Sequence, residues 1–155
     1  MGFGSLSVKG RALRCLAQRE HSRAELERKL ARQVEDTPEA SAQELIAAAL
    51  DELAAKDLLS EARAAQSVLL GQGQRYGTRR LKQTLQAKGL DAELVSATLQ
   101  QARATELERA REVWRRRFGA TAANATERAR QMRFLAGRGF EGDVIRRVMQ
   151  ADDDE

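Results

Sequence analysis

The side chains with chemical reach in this chain are arginines and lysines set on short helices. In residues 76–99, YGTRRLKQTLQAKGLDAELVSATL, Leu81 and Leu85 recur four apart, so they share one helix face and leave Arg79, Arg80, Lys82 and Lys88 on the others. Guanidinium and ammonium groups presented in this way bind carboxylates and phosphates. A second concentration lies further on: residues 103–147 hold twelve arginines against six acids, and Arg115, Arg116, Arg128, Arg130, Arg133, Arg138, Arg146 and Arg147 are its candidate binding residues. Successive helical residues turn by about 100°, so Arg115, Arg116 and Arg117 cannot share a face, and Glu112 is spaced to pair with Arg116. Trp114, Phe118, Phe134 and Phe140 fall at core spacing, which leaves Tyr76 as the aromatic open to stacking on a partner.

Covalent chemistry has little to stand on. His21 is the single histidine and sits beside Ser22, a capping residue, while Cys15 is the single cysteine and neighbours Leu16 in a helical stripe. A triad needs a histidine beside a nucleophile, and one cysteine with one histidine makes none of the common zinc sets. Gly71-Gln-Gly73 lacks the Gly-Lys-Ser/Thr of a phosphate loop. The expectation is a non-enzymatic protein with no catalytic, cofactor or metal residues and no small-molecule substrate. One cysteine forms no internal disulfide, and no apolar run is long enough for a bilayer, so a cytoplasmic protein without membrane contact is expected; a monomer is taken as its default state.

The elements that carry these residues are helices. A single proline, scarce aromatics and abundant Ala, Leu, Arg, Glu and Gln favour helix and give strands little to build on. Ser22-Arg-Ala-Glu25, Ser41-Ala-Gln-Glu44 and Thr105-Glu-Leu-Glu108 each read as a capping box opening a helix. Ser60 and Asp91 can cap others, Thr126 or Asn124 opens another, and Gly89, Gly119 and Gly139 can stop them. The pattern repeats: Leu135, Gly139, Phe140, Val144, Ile145 and Met149 follow Leu85, Gly89, Leu90, Leu94, Val95 and Leu99 at constant offset, and the helix with Leu26 and Leu30 mirrors the one with Leu81 and Leu85. The reading is an all-α protein of nine helices in three tandem three-helix, helix-turn-helix-like modules, 1–57, 58–104 and 105–151, with an acidic tail at 152–155. Modules this small support one another, in an elongated row, straight or curved. The tail, Asp152 to Glu155, is expected to be disordered and solubilising, and beside an arginine-rich module it could compete with DNA or an acidic partner patch.

Four phrases occur in the order and spacing of the RecX family. They are HSRAELERKL at 21–30, LLSE at 58–61, YGTRRLKQTLQAKG at 76–89 and RFLAGRGF at 133–140, and the resemblance covers nearly the whole chain. Two positions depart from it: Ala64 stands where the family usually has an aromatic, and Gln74-Arg75 replaces Lys-Gly. The resemblance implies tandem three-helix repeats and a regulator of bacterial RecA recombinase. Such a regulator binds the RecA filament in its groove and inhibits ATP hydrolysis and strand exchange in DNA repair, recombination and the SOS response. It also implies that single- or double-stranded DNA is a possible second partner. A DNA-binding helix-turn-helix protein acting without RecA is the alternative. If the apolar face is correctly assigned, Leu85→Ala costs about 2 to 5 kcal/mol in a denaturant titration, and a loss near zero would move Leu85 out of the core.

Overall fold

The computed structural model describes residues 6–150; the acidic tail expected at 152–155 lies outside them. Those residues form eight α-helices and no strand: α1 (Val8–Gln18), α2 (Arg23–Ala31), α3 (Ala42–Ala55), α4 (Glu61–Gln72), α5 (Thr78–Ala87), α6 (Ala92–Arg117), α7 (Ala125–Gly137) and α8 (Gly142–Gln150). The chain is all-α, as its composition dictates. Two of the three expected capping boxes open helices, and one of these two is complete. Ser22 accepts from the Glu25 N–H while Glu25 accepts from the Ser22 N–H, a complete capping box. Ser41, Asp91 and Asn124 each accept from the backbone N–H three residues on. Gly89, Gly119 and Gly139 take positive φ of 71°, 69° and 88°, the left-handed turn that ends a helix.

The third expected box is not a helix start. Thr105 lies inside α6, a single helix of 26 residues, so eight helices replace the nine expected. Residues 92–117 contain neither glycine nor proline to stop the helix. The Thr105 hydroxyl turns back on its own helix, donating to the Ala102 carbonyl at 3.4 Å and accepting from Arg109 Nε at 3.1 Å. A Ser/Thr-x-x-Glu phrase caps only where the backbone has already left the helix, and here nothing makes it leave.

Two compact units result, one of the described residues up to Ser67 with Lys88–Leu90, the other of Val68–Ala87 and the residues from Asp91 onward. The first unit buries Ala12, Leu26, Leu30, Ile46, Leu50, Leu53 and Leu59 as one cluster, with Cys15 half-buried against it. Ala64 and Ala65 are also buried there, so the position that departs from the family pattern is filled by a methyl group. In the second unit Ala110, Trp114, Leu135, Phe140, Val144, Ile145, Val148 and Met149 form the core, with Phe118 and Phe134 packed on it edge to face. Leu81, Leu85, Val95 and Leu99 are buried as the spacing requires, whereas Leu94 is only half-buried. The Trp114 indole N–H is satisfied by Gln131 at 2.9 Å. Caps and look-alikes separate by mutation: Ser22→Ala costs about 1 to 2 kcal/mol, while Thr105→Ala stays within about 0.5 kcal/mol of the parent by chemical denaturation.

Candidate arginine-lined interface

The site is built outward from a buried carboxylate. Glu106, in mid-α6 and only 2% exposed, accepts from the Thr78 N–H at 3.2 Å, the Thr78 hydroxyl at 2.7 Å and the Glu141 N–H at 3.2 Å. It therefore fixes the starts of α5 and α8 to one point on α6. Three residues along, the Arg109 guanidinium donates to the carbonyls of Gly73, Tyr76 and Ala102 at 2.5, 2.7 and 2.7 Å, which holds the turn between α4 and α5. Burial pushes the Arg109 guanidinium below its ordinary value, against the pull of Glu106.

Two backbone hydrogen bonds then join the start of α5 to the turn before α8: Gly77 N–H to the Arg138 carbonyl and Arg79 N–H to the Gly139 carbonyl, both 2.9 Å. The approach is so close that a Cβ at Gly77 would lie 2.4 Å from the Phe140 backbone, and one at Gly139 would lie 2.5 Å from Arg80 Cβ. Glycine is required at both positions.

This contact gathers cations around aromatic rings. Arg80, Arg138 and Arg75 place their guanidinium carbons 4.5, 5.5 and 5.7 Å from the centre of the Tyr76 ring. Arg138 is also 5.1 Å from Phe134, and Arg117 lies 5.4 Å from Phe134 and 5.7 Å from Phe118. Rings and guanidiniums thus alternate, an arrangement that holds each planar cation while leaving its N–H edge available. Beside them opens a shallow cavity of about 230 Å³ lined by Gln74, Arg75, Val113, Arg116, Arg117, Phe134 and Arg138, with no acid in its wall.

Of the residues singled out in sequence, Arg80 and Arg138 lie against the Tyr76 ring, and Arg116 and Arg138 line the cavity. Arg79, Lys82, Arg115, Arg130, Arg133, Arg146 and Arg147 are exposed and Arg128 is half-buried, and none of these lines the cavity. Arg115 and Arg116 share Glu112 at 3.3 and 3.0 Å, the second being the pair expected from spacing, and Arg130 pairs with Glu127 at 3.2 Å. Lys88 belongs to the first unit, where it meets Glu25 at 3.0 Å. Tyr76, expected to be open to stacking, is already surrounded by guanidiniums. Sequence reasoning did not single out Arg75 and Arg117 as binding residues or find the Glu106–Thr78 link, whose partners stand 28 residues apart with no local pattern between them.

The same junction occurs in the first unit with different side chains. There Ser22 donates to the Lys88 carbonyl at 2.5 Å, Arg23 N–H is capped by Glu61, and Gly89 packs against Ala24. Aligning Leu26 and Leu30 with Leu81 and Leu85 puts Ser22 on Gly77 and Glu25 on Arg80, while Gly89 on Gly139 puts Lys88 on Arg138. Where one copy has an Arg19–Glu25–Lys88 ion triad, the other sets Arg80 and Arg138 against the Tyr76 ring.

Two descriptions match the chain: "RecX, second three-helix domain" over residues 60–99 and "RecX, third three-helix domain" over residues 104–149. It is 52% identical to the regulatory protein RecX of Leptothrix cholodnii over 97% of this chain and 92% of that one. The chain belongs to the RecX family. The RecX of Ralstonia nicotianae is 44% identical over 96% of this chain and 89% of its own. The crystal structure of RecX from Lactobacillus salivarius, at 19% identity, superposes with a TM-score of 0.78 over 96% of each chain and shares the fold. The second and third repeats read from sequence thus coincide with RecX three-helix domains.

The triad makes a pH prediction. Burial alone would raise the Glu25 carboxyl, but hydrogen bonds from Arg19, the Ser22 N–H and Lys88 outweigh it and hold it down from 4.5 to about 2. The unfolded chain therefore takes up this proton first as pH falls, so the stabilisation is whole above 4.5 and is lost as pH drops towards about 2. Urea midpoints of Glu25→Gln should be lower than those of the parent at neutral pH and converge with them across this window; a constant gap would refute the assignment.

Proposed function

We propose that this RecX-family protein regulates RecA: it binds the RecA nucleoprotein filament through the arginine-bearing face of its second unit and lowers ATP hydrolysis and strand exchange during DNA repair and recombination. The observation that carries this reading is the 52% identity, along nearly the whole chain, to a protein named as a RecX regulator. Its arginines support an anionic partner. Among the described residues, Arg75, Arg80, Arg117 and Arg138 pair with no carboxylate, and Arg146 and Arg147 are exposed on α8. The function is binding, without catalysis, and the filament offers both protein carboxylates and nucleic-acid phosphates to such a surface. Modules 58–104 and 105–151 carry the contact in this reading, and the protein acts as a cytoplasmic monomer.

The exposed arginines of α8 also fit a second reading, in which the protein binds duplex DNA without RecA. The two separate in one set of assays. Substoichiometric protein should lower the DNA-dependent ATPase of RecA, and reversing Arg79, Arg80 and Lys82 together to glutamate should weaken that inhibition several-fold with helicity by circular dichroism unchanged. No inhibition at equimolar protein, together with tight duplex binding that weakens steeply with salt, would favour the second reading.

A further inference from the structure

The two copies of the junction invite comparison atom by atom. In the first unit a carboxylate sits in the slot between the helix start and the turn: Glu25 takes hydrogen bonds from Arg19 at 2.7 Å, from Lys88 at 3.0 Å and from the Ser22 N–H at 3.1 Å, and its side chain is 11% exposed. In the second unit the position of Glu25 is taken by Arg80 and that of Lys88 by Arg138, both beside Tyr76. No carboxylate among the described residues enters to separate them. Both guanidiniums lie within 5.5 Å of the centre of one ring with no acid beside them, so the second copy is a cationic slot lacking its acid.

We infer that the slot formed by Arg75, Arg80, Arg117 and Arg138 around Tyr76 and Phe134 binds a carboxylate of an acidic protein segment, which supplies in trans what Glu25 supplies in cis at the first junction. The inference rests on the proposed function only in taking the second unit as the one that meets a partner. Three observations favour a peptide carboxylate over a nucleic-acid strand. The repeat's own first copy is filled by a carboxylate at hydrogen-bonding distance from two cations and a backbone N–H. Three guanidiniums already crowd the Tyr76 ring, which takes from a base the face on which it would stack. Val113 and Phe134 give the cavity an apolar floor that accepts a hydrocarbon side chain next to the acid. At about 230 Å³ it has room for one or two side chains and little more.

The test uses the full chain and two fluorescent probes, a short peptide of Asp and Glu with one central Leu and an oligothymidylate of similar charge, followed by anisotropy. The parent should bind the peptide, and Arg138→Gln should weaken it roughly tenfold to a hundredfold, the range expected for one charge-assisted hydrogen bond. Arg80→Glu, which restores the acid of the first junction within the chain, should abolish peptide binding while melting no lower than the parent. Arg80→Gln, which removes the charge without adding an acid, serves as a second variant should Arg80→Glu not fold, and should weaken binding in the same range. Peptide binding that survives Arg80→Glu in folded protein would overturn the inference. So would an Arg138-dependent affinity for oligothymidylate with none for the peptide. The RecA ATPase assay, run in parallel, keeps the two readings apart: loss of peptide binding with inhibition intact supports the slot and removes it from RecA control, while peptide binding without any effect on RecA supports the slot and refutes the proposed function.

Discussion

A carboxylate withdrawn from water must find donors, and the second unit is arranged around one that does. Glu106 gathers an N–H and a hydroxyl from the start of α5 and an N–H from the start of α8. Each donor is one that a helix start leaves without an internal partner, so a single side chain closes two open ends while its own charge is compensated. The glycine contact between residues 77 and 139, the enclosure of Tyr76 and the alignment of guanidiniums all follow from the two ends being held at one place. The arginine-lined surface is therefore a product of a buried acid.

The two junctions show how a repeat diverges without losing its frame. The meeting of a helix start with a glycine turn of positive φ is kept: Gly89 lies against Ala24 in one, Gly139 against Arg80 in the other. Even the capping principle is kept, since Glu61 receives Arg23 N–H as Glu106 receives Thr78 N–H. What changes is the charge on the side chains that the frame presents. In the first copy opposite signs meet and are consumed in holding the unit together; in the second, like signs are left facing outward.

Much of this was legible in the sequence because it is local. Helix class, the starts at Ser22, Ser41, Asp91 and Asn124, the stops at Gly89, Gly119 and Gly139, and the apolar faces with Leu26, Leu30, Leu81 and Leu85 each depend on residues within a turn or two. The error at Thr105 has the same root, since a capping phrase carries no information on whether the preceding turn has ended. The site was legible only in its chemistry. Arginines in number announced an anion-binding face, but which of them converge depends on contacts 28 to 66 residues apart, such as Thr78 with Glu106 and Ser22 with Lys88. That information lies in packing, and no spacing rule reaches it.

The continuous α6 sets a phase as well as a distance. It carries Val95 and Leu99 near one end and Trp114 near the other, with Glu106 between them, all on buried faces of one rod of 26 residues, about 39 Å long. Adding or deleting one residue within it would turn everything downstream by about 100° and move the Trp114 side out of the core while the upstream half stayed in place. The segment between Gly119 and Asn124 can absorb a change of length without such a penalty, because no helical register runs through it. Relatives of this protein should therefore vary in length there and keep α6 constant, so that the helix serves as a gauge against which the loops are free to drift.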